Sequence, residues 1–526
     1  MLDRVRATAR FAVALRGIMR NPVSAREGAA RIAASLARRD EVFLDTLERG
    51  IYQNPRSPYL ALLCHARIEL DDVRGFVRED GVEGALSRLY EAGVYVTADE
   101  FKGRAPIQRD GLDLAVTASD FDNPLADSHF EGRTSGSSGQ PTHVFIGFDL
   151  MTYEADYYAC LFDAQGVATY PVAAALHTAL KTTLRHAKRG VLPEKWFTPQ
   201  PFDWSLNGLK DQYILGPTLL LSRLYRRPLP RPELVPRGEA LQVARWLAEK
   251  THIGTPALLE TNHSAAVRVC VAAREHGLDI AGSVFHLTGE PYTAAKAEVI
   301  AAAGARALDR YANVELGAMG LACANPVSFD DAHFVTDKLA LIQRPKLLAG
   351  TGVSVDAIVL TSLLPCTPKL MLNVENGDYA TIEARDCGCP LGAIGLRTHI
   401  SSIRSYDKLT SEGATIAATH LFHLLEEVLP ARFGGAPTDY QLVEEEVDGL
   451  PRVSLFIRPN VGPLDEATVV STFLDEVQAY ARIGAAEWRQ GETLRVVRRD
   501  PYETSSAKIL PLHLRHVAAS TDAKVR

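Results

Sequence analysis

One property of the sequence constrains the fold most: strand-like and helix-like runs alternate over a long central stretch. Residues 251–291 illustrate it with THIGTPALLETNHSAAVRVCVAAREHGLDIAGSVFHLTGEP, where short apolar runs flank a longer run with helical spacing. The alternation extends from about residue 143 to residue 360. Neighbouring parallel strands need a crossover connection, usually a helix. The sequence therefore predicts α/β layers with a partly parallel sheet.

Other parts of the chain have a different character. Residues 40–130 have mainly helical spacing, and residues 190–236 are rich in Pro, aromatic and basic residues, which predicts an insertion with little regular structure. Beyond the RSYDKLTSEG stretch, the sequence predicts a helix from ATIAATHLFHLLEEVL, a hairpin turning at Asp448-Gly449, a second helix and a strand. The predicted fold class is α/β, with a large N-terminal domain of layered sheets and a small mobile C-terminal α/β domain. The predicted divisions are a helical extension (1–70), a large domain (71–403), a hinge (404–413) and a small domain (414–526).

Composition excludes several classes of protein. The 526 residues are 46% hydrophobic and carry a formal net charge of -7, which argues against a dedicated nucleic-acid binder. Seven cysteines, an odd and low number for this length, favour a reducing compartment over a disulfide framework, so we expect a cytoplasmic protein. No apolar run reaches the roughly 18 residues that a membrane span needs. The sequence does not predict an oligomeric state.

The N-terminus is strongly basic. Residues 1–39 contain nine arginines, no lysine, and only Asp3 and Glu27 as acids. Ser24 and Glu27 have the spacing of a capping box at the start of a helix. A basic amphipathic arm can contact acidic lipid or a partner, but a helical extension packed on the main body is the favoured interpretation.

The run RTSGSSGQPT, residues 133–142, consists almost entirely of hydroxyl-bearing residues and glycines. A flexible linker is one interpretation. However, a predicted strand, HVFIGF, and a predicted helix from about Asp149 to Gly166 follow it directly, so the run lies inside a continuing domain. The second interpretation is a loop whose backbone N–H groups and hydroxyls bind an anion. It is not a Walker A sequence, because no Gly-Lys-Ser/Thr closes it.

Four further motifs follow this run in the chain. They are LTGEPYT (287–293), LDRYANVE (308–315), ENGDY (375–379) and SSAKI (505–509). In this order and at these spacings, the five motifs resemble those of the adenylate-forming superfamily, and within it the phenylacetate–coenzyme A ligase-like branch. The resemblance spans residues 134–508 and does not cover the N-terminal helical residues.

The resemblance implies an ATP- and Mg²⁺-dependent ligase that activates a carboxylic acid as its acyl-AMP and passes the acyl group to coenzyme A. Two alternatives stay open: transfer to an amine, a carrier protein or another nucleophile, and a non-catalytic binding protein that retains the fold. By the same resemblance, Lys508 and Glu315 are catalytic, and Glu315 is also the Mg²⁺ ligand. The implied nucleotide-binding residues are Thr134, Ser135, Gly136, Ser137, Ser138, Gly139, Gly289, Glu290, Pro291, Tyr311, Asp378 and Arg404.

The chain departs from the family pattern at several positions. Gln140 replaces the usual lysine of the phosphate loop, and Ala507 replaces the glycine before Lys508. RSYDK replaces the more regular hinge sequence, so Arg404 is a less regular match as a ribose ligand. These changes favour a divergent substrate or acceptor.

Each implied role has a structural alternative. Asn376-Gly377-Asp378 is also good turn chemistry, and Tyr311 is equally compatible with a core tyrosine. Glu315 could be a surface carboxylate, and Lys508 a solvated lysine in a polar tail. The order of the motifs favours the functional interpretation.

Cysteines and histidines suggest a metal site. Cys323 and His333 follow Glu315, and Cys387 and Cys389 follow Asp378. These four residues could form a Cys₃His zinc site of the closed structural type. Cys-x-Cys is a weaker signal than Cys-x₂-Cys, and three buried cysteines beside an exposed histidine is the alternative.

Overall fold

The computed structural model describes most of the chain. The described residues are 2–127, 130–133, 143–177, 179–199, 201, 214–347, 354–405, 408–411, 414–417, 421, 423–435, 439–447, 450–480, 482–502 and 512–514.

Helices form the N-terminal part of the chain. They are α1 (Leu2–Arg20), α2 (Ala25–Ala37), α3 (Arg39–Leu47), α4 (Pro58–Ala66), α5 (Leu70–Glu91) and α6 (Ala98–Phe101), followed by a short hairpin of β1 (Ile107–Arg109) and β2 (Leu112–Leu114). The capping box predicted from Ser24 and Glu27 is present at the start of α2. Phe11, Leu15 and Met19 of α1 are buried against the body, which agrees with the favoured interpretation of a packed extension.

A six-stranded sheet is the centre of the body. After the hairpin of β3 (Phe130–Arg133) and β4 (His143–Ile146), its strands are β5 (Val172–Ala175), β6 (Lys195–Thr198), β7 (Pro232–Leu234), β8 (Leu258–Asn262), β9 (Val284–Thr288) and β10 (Arg306–Asp309). Their order is β10-β9-β8-β5-β6-β7, and every pairing is parallel. The predicted parallel sheet is thus confirmed.

Helices connect these strands. They are α7 (Phe148–Ala164), α8 (Leu180–Lys188), α9 (Leu215–Leu224), α10 (Ala240–His252), α11 (His263–Glu275) and α12 (Ala294–Ala302). The prediction that residues 190–236 hold little regular structure is wrong, because β6, α9 and β7 lie there. Trp196 and Phe197 of β6 are buried, so contacts from distant parts of the chain stabilise a strand that Pro-rich flanks concealed.

A second sheet is antiparallel. After the short pair β11 (Ala312–Asn313) and β12 (Gly317–Ala318) come β13 (Gly320–Ala322), β14 (Ala332–Phe334), β15 (Leu339–Leu347), β16 (Ser354–Ser362), β17 (Val374–Ala384), the short helix α13 (Pro390–Ile394) and β18 (Thr398–Ser405). The strand order is β13-β14-β18-β17-β16-β15. Residues of this sheet and of α2 to α5 share one hydrophobic cluster.

The C-terminal part has a smaller hydrophobic cluster of its own, which includes Leu425, Leu455, Phe473 and Trp488. Its elements are β19 (Lys408–Ser411), β20 (Ala414–Ala417), α14 (Leu429–Phe433), β21 (Tyr440–Val447), β22 (Leu450–Ile457), α15 (Glu466–Tyr480), α16 (Arg482–Gly491), β23 (Leu494–Arg498) and β24 (Leu512–Leu514).

Most predictions for this part hold. The β21–β22 hairpin, the helix α15 and the strand β23 confirm them, although the turn residues Asp448 and Gly449 lie outside the described residues. The helix predicted from residue 414 is wrong at its start, where β20 pairs with β19. An α/β fold with a large body and a smaller C-terminal unit is confirmed. In the described part of the chain, no helix is both long and apolar enough to cross a bilayer.

Candidate active site

Four parallel strands end side by side at one edge of the central sheet. Ala175 of β5 pairs with Thr261 of β8, Thr261 pairs with Leu287 of β9, and Leu287 pairs with Asp309 of β10. The loops after these strands therefore meet along one line. In open α/β sheets, ligands bind in the crevice at the carboxyl ends of the strands.

Polar contacts fix the loops at this edge. His263, the first residue of α11, lies with its Nε2 2.9 Å from Asp309 Oδ1. The same carboxylate oxygen accepts a hydrogen bond from the backbone N–H of Arg310. These contacts tie the end of β8 to the end of β10, just before the segment that carries Tyr311 and Glu315.

Gly289, Glu290 and Pro291 follow β9 directly, at the same edge. Gly289 has a φ of +86°, a conformation that glycine adopts at little cost. The Glu290 carboxylate accepts hydrogen bonds from the hydroxyl and the backbone N–H of Ser264, in the first turn of α11. A carboxylate is stabilised by the N-terminus of a helix. The Glu290 side chain therefore anchors the loop, and the loop backbone lines the edge.

Asp378 and Tyr311 lie in direct contact. The Tyr311 hydroxyl donates to Asp378 Oδ2 over 2.9 Å, and Asn376 Nδ2 donates to the same oxygen over 3.0 Å. The Ser405 hydroxyl donates to Asp378 Oδ1 over 2.5 Å. Asp378 on β17 pairs with Ser405 on β18, so strand register places this donor. The carboxylate is thus held in one orientation by donors from three segments of the chain.

Arg404 lies next to this group but makes a different contact. It pairs with Tyr379 in the β17–β18 register, and its Nη1 donates to its neighbouring carbonyl, Ile403 O, over 2.7 Å. The β18 side chain that contacts Asp378 is therefore that of Ser405.

Glu315 lies in the turn between β11 and β12 and is half-buried. Its backbone carbonyl accepts a hydrogen bond of 3.4 Å from the N–H of Lys369. The turn sits between Tyr311, which contacts Asp378, and Gly317, which contacts the interior.

Several predicted site residues lie outside the described residues. They are Thr134, Ser135, Gly136, Ser137, Ser138 and Gly139 of the hydroxyl-rich run, and Lys508 of the C-terminal motif. The strands β3 and β4, which pair antiparallel, flank the run on both sides.

A network of buried charges lies beneath the site. Arg185 Nη1 donates to Glu154 Oε2 over 2.8 Å, and the N–H of Ala318 donates to Glu154 Oε1 over 2.8 Å. Burial alone would raise the pKa of Glu154, but Arg185 and Lys338 outweigh it and lower that pKa to about 2. Gly317 has a φ of +73°, which favours glycine, and a Cβ there would lie 2.1 Å from Glu154 Oε1, so a side chain would displace this carboxylate. The network thereby sets the path of the segment that carries Glu315.

A second part of the network centres on Glu260 of β8. Its Oε1 lies 2.8 Å from His186 Nε2 and 2.8 Å from His286 Nδ1, and all three side chains are buried. Arg189 Nε donates to His186 Nδ1 over 2.9 Å, so His186 carries its proton on Nε2. Burial, together with Arg189, lowers the pKa of His186 to about 4. His186 is therefore neutral at pH 7 and donates to the Glu260 carboxylate.

Three thiols and two imidazoles meet behind the Asp378 strand. Ligand atoms of Cys323, His333, Cys387 and His399 all lie within 4.8 Å of one another. Cys389 joins them, since its Sγ lies 3.0 Å from His333 Nε2, while Cys387 Sγ lies 3.7 Å from the same nitrogen. In a tetrahedral zinc site with bonds of about 2.0–2.3 Å, ligand atoms are roughly 3.5 Å apart. The cluster has the donor types and spacing of such a site.

The histidines of the cluster are oriented by their outer nitrogens. His333 Nδ1 lies 2.7 Å from the carbonyl of Leu396, and His399 Nδ1 lies 2.7 Å from Asp331 Oδ1 and 2.9 Å from Arg385 Nη2. Both rings thus direct Nε2 inward, the arrangement in which carbonyl and carboxylate partners support metal-binding histidines. His399 Nε2 is buried and has no hydrogen-bond partner among the described residues. Burial lowers the pKa of His333 to about 4, so its ring is neutral at pH 7.

Sequence reasoning missed three residues of these sites. Ser405 and Asn376 contact Asp378, and both stand within or beside the motifs that placed Asp378. His399 is brought opposite His333 by the pairing of β14 with β18. Cys323, Cys387 and Cys389 do converge with His333, and His333 is buried, unlike the exposed histidine of the alternative.

No protein-family model matches the chain, and no curated protein matches it in sequence. Among solved structures, the chain is similar to a 2-hydroxyisobutyryl-CoA ligase in complex with 2-HIB-AMP and CoA in the thioesterification state. The TM-score is 0.55 and the identity 16%, over 92% of this chain and 90% of that chain. The same ligase in a postadenylation state with R3-HIB-AMP gives a TM-score of 0.45 at 15% identity, over 95% and 91% of the two chains. An acyl-CoA synthetase from Brucella canis gives 0.33 at 15% identity, over 73% and 63%. The first of these likenesses establishes a shared fold.

Proposed function

We propose that the protein is an ATP-dependent ligase that activates a carboxylic acid as its acyl adenylate and then forms the acyl-coenzyme A thioester. The observation that carries the proposal is the Asp378 carboxylate, oriented by Tyr311, Asn376 and Ser405 beside the carboxyl edge of the central sheet. A carboxylate held in this way suits two hydroxyls of a ribose. Support also comes from the shared fold with a ligase whose structure holds an acyl adenylate and CoA.

The reaction has two displacements at the same edge. A carboxylate oxygen of the acid attacks the α-phosphorus of ATP and pyrophosphate leaves; the thiolate of coenzyme A then attacks the acyl carbon and AMP leaves. Both steps depend on positioning and on stabilising negative charge. Asp378 would hold the ribose, Tyr311 the adenine, and the 289–291 backbone would border the base.

The remaining roles fall on residues outside the described ranges. The hydroxyls and backbone N–H groups of the 134–139 run would bind the leaving pyrophosphate. Lys508 would join the site from the C-terminal unit for adenylation and leave it for thioester formation. With Gln140 in place of the family lysine, the loop supplies less positive charge of its own.

Mg²⁺ fits this site at Glu315. A half-buried carboxylate in the turn after Tyr311 is a hard oxygen ligand of the kind that Mg²⁺ prefers. When bound, the ion would neutralise charge on the phosphate oxygens. Glu315 itself would fix the ion relative to the ribose site.

We further propose that the phenylacetate–coenzyme A ligase-like branch describes this chain best, and that the Cys/His cluster holds one structural Zn²⁺. The cluster joins the 323–333 segment to the loop after the Asp378 strand, so a metal there would brace the ribose site. Use of ATP and coenzyme A, together with reduced thiols, fits a cytoplasmic location.

ATP–pyrophosphate exchange over a panel of carboxylic acids tests the proposal. We expect exchange with at least one acid, and acyl-coenzyme A on adding coenzyme A. Exchange without thioester formation would instead indicate an amine or carrier-protein acceptor. Absence of exchange, in protein that still binds ATP, would favour a non-catalytic binding protein.

The variant Lys508→Ala tests the proposed catalytic role of Lys508. We expect it to lower acyl-AMP formation by orders of magnitude while thermal stability stays unchanged, because the residue lies in a polar tail motif. Lys524→Ala, in the same tail, is the control and should keep full activity. Normal adenylation by Lys508→Ala would remove Lys508 from the mechanism.

A further inference from the structure

Lys181 stands out among the cations near the active edge, the edge of the central sheet where β5, β8, β9 and β10 end. Its neighbours have partners, and Lys181 has none among the described residues. Arg185 bonds Glu154, Arg310 donates to the Tyr158 hydroxyl, and Lys338 donates to the carbonyls of Leu316 and Ala318. Lys181 makes no hydrogen bond, and no ion pair within 4.0 Å, with any residue that the structure describes.

The position of Lys181 follows from helix geometry. It is the second residue of α8, which begins just after β5 reaches the active edge, and it precedes Arg185 by one turn on the same face. Residues 182–188 are buried, whereas Lys181 is half-buried and so still reaches open space. Side chains of a helix lean toward its N-terminus, which here is the active edge.

The surroundings of Lys181 contain charges of both signs. Its carboxylate neighbours are Glu154 and Glu315, and Arg185 and Arg310 oppose their effect on its pKa. Leu180 beside it and Val314 beside Glu315 belong to the same hydrophobic cluster. Lys181, on helix α8, is thus within electrostatic reach of Glu315 and beside an apolar cluster that includes Val314.

A desolvated ammonium without a partner is costly, and the cost is removed when an anion binds. Burial lowers the pKa of Lys181 to about 8, so the group is still mainly charged at pH 7. Glu154 is already bonded to Arg185 and to Ala318, and Glu315 is assigned to Mg²⁺. No carboxylate of a described residue lies within 4.0 Å of Lys181, which leaves this ammonium able to bind an anionic ligand.

We infer that Lys181 binds a second carboxylate of the acid substrate, so that the enzyme activates dicarboxylic acids. The inference rests on the proposed adenylation function and names the substrate class for it. The apolar residues Leu180 and Val314 favour the carbon chain of an acid over the charged phosphates of the nucleotide. The apolar side chains of Leu180 and Val314 border the space that a short methylene chain occupies.

Pairs of acids with equal carbon number test this. Glutarate with valerate, and adipate with hexanoate, differ only in the distal group. Pyrophosphate release and acyl-coenzyme A formation are measured with wild type, Lys181→Met, Lys181→Arg and, as control, Lys195→Met on the exposed β6–β7 pair. We expect wild type to prefer the diacid in each pair. Lys181→Met should lower the diacid-to-monoacid ratio of kcat/KM by on the order of 10–100-fold.

Further measurements distinguish binding of the distal carboxylate from other roles of Lys181. KM for ATP should stay within about twofold, and Lys181→Arg and Lys195→Met should retain the diacid preference. A wild-type preference for monoacids, or an equal loss with both acids in Lys181→Met, would overturn the inference. A rise in KM for ATP would reassign Lys181 to the nucleotide. Absence of pyrophosphate release with every acid would instead overturn the adenylation proposal, and the inference with it.

Discussion

Two buried clusters of polar side chains differ in what holds them together. On the parallel sheet, two histidines donate to Glu260 of β8. Beside the antiparallel sheet, three thiols and two histidines lie close together. Both groups are buried and rich in polar atoms. In the first, two histidines donate to one oxygen of a carboxylate, while Glu260 Oε2 and His286 Nε2 have no hydrogen-bond partner among the described residues. In the second, the inward-facing atoms are of the type that binds a metal. The first cluster is therefore held by the attraction between a carboxylate and its donors, whereas the second has the donor set of a metal site.

The same comparison can be made between charged side chains near the carboxyl edge of the central sheet. Arg185 and Glu154 form an internal pair, while Lys181 on the same helix face has no such partner in the part of the chain that the structure describes. A residue's partners thus distinguish a role in holding the fold from a role in binding. Residue type alone does not, because arginine and lysine occur on both sides of the distinction.

The largest effect on stability is expected at Glu260. Glu260→Gln keeps the size of the side chain but removes the charge that faces His186, His286 and, at 3.8 Å, Arg310. Breaking a buried charge network by removing one partner costs about 3–5 kcal/mol of unfolding free energy. Urea unfolding of both proteins at pH 7.5 measures it.

The control is Glu233→Gln, in an exposed pair with Lys195 on the neighbouring strands. Exposed pairs contribute about 0–1 kcal/mol, so this variant should unfold almost as wild type does. Equal losses in the two variants would show that the buried charge of Glu260 contributes no more to stability than an exposed ion pair does.

A slightly smaller loss of unfolding free energy is expected on acidification, because of His186. The pKa of His186 is about 4 in the folded protein and near 6.5 when unfolded. Above pH 6.5 neither state binds the proton, and the contribution to stability is complete. Between pH 6.5 and 4 the unfolded state binds a proton that the folded state does not, so stability falls as the pH falls, by roughly 3 kcal/mol in total.

Urea unfolding of wild type and His186→Gln between pH 7.5 and 4.5 measures this. The glutamine can still donate to Glu260 but does not titrate, so the variant should lose less stability on acidification. His276→Gln, at an exposed helix end, should retain the wild-type slope. Identical slopes in all three proteins would assign the acid sensitivity to other groups.

The next largest loss of stability is expected on removing a metal ligand from the Cys/His cluster. Tag-free protein prepared without chelator should contain about one zinc per chain. Cys389→Ser should lose it and, where free zinc exceeds its Kd by about a hundredfold, lose roughly 2–3 kcal/mol of stability. Metal analysis and thermal unfolding check both, with Cys270→Ser, buried in an apolar helix, as the control.

A variant of His399 identifies the zinc ligands, because the cluster has five candidate donors and a tetrahedral zinc ion takes four. If Cys323, His333, Cys387 and Cys389 bind the ion, His399→Gln should keep the zinc. If His399 binds the ion in place of Cys389, His399→Gln should lose the zinc and Cys389→Ser should keep it. Wild-type protein without zinc would contradict the proposal in either form.

The sequence predicted those features that depend on local pattern. Alternation in residues 251–291 predicted the parallel sheet, and the run around Asp448-Gly449 predicted the β21–β22 hairpin. The strand β6 was missed because burial of Trp196, and not its Pro-rich flanks, decides its conformation. Contacts set by strand register were also out of reach: Ser405 meets Asp378, and His399 meets His333, only after β17, β18 and β14 pair.

The smallest effect is expected at Tyr311, where the comparison can be made within one strand. The hydroxyls of Tyr311 and Tyr90 both donate to carboxylates of β17, to Asp378 over 2.9 Å and to Glu375 over 3.2 Å. Asp378 is the proposed ribose ligand, while Glu375 lies beside Lys346 and serves the fold. Tyr311→Phe removes one hydrogen bond, worth about 0.5–1.5 kcal/mol, and keeps the ring at the proposed adenine site.

We therefore expect Tyr311→Phe to raise KM for ATP by roughly 2–10-fold while KM for the acid stays nearly constant. Tyr90→Phe should lower stability by a similar free energy and leave ATP kinetics unchanged. Steady-state kinetics with both substrates varied, together with urea unfolding, separate the two effects. If both variants changed KM for ATP equally, the Asp378 carboxylate would be no more specific to the nucleotide than Glu375 is. The ribose site would then lose the observation on which it rests.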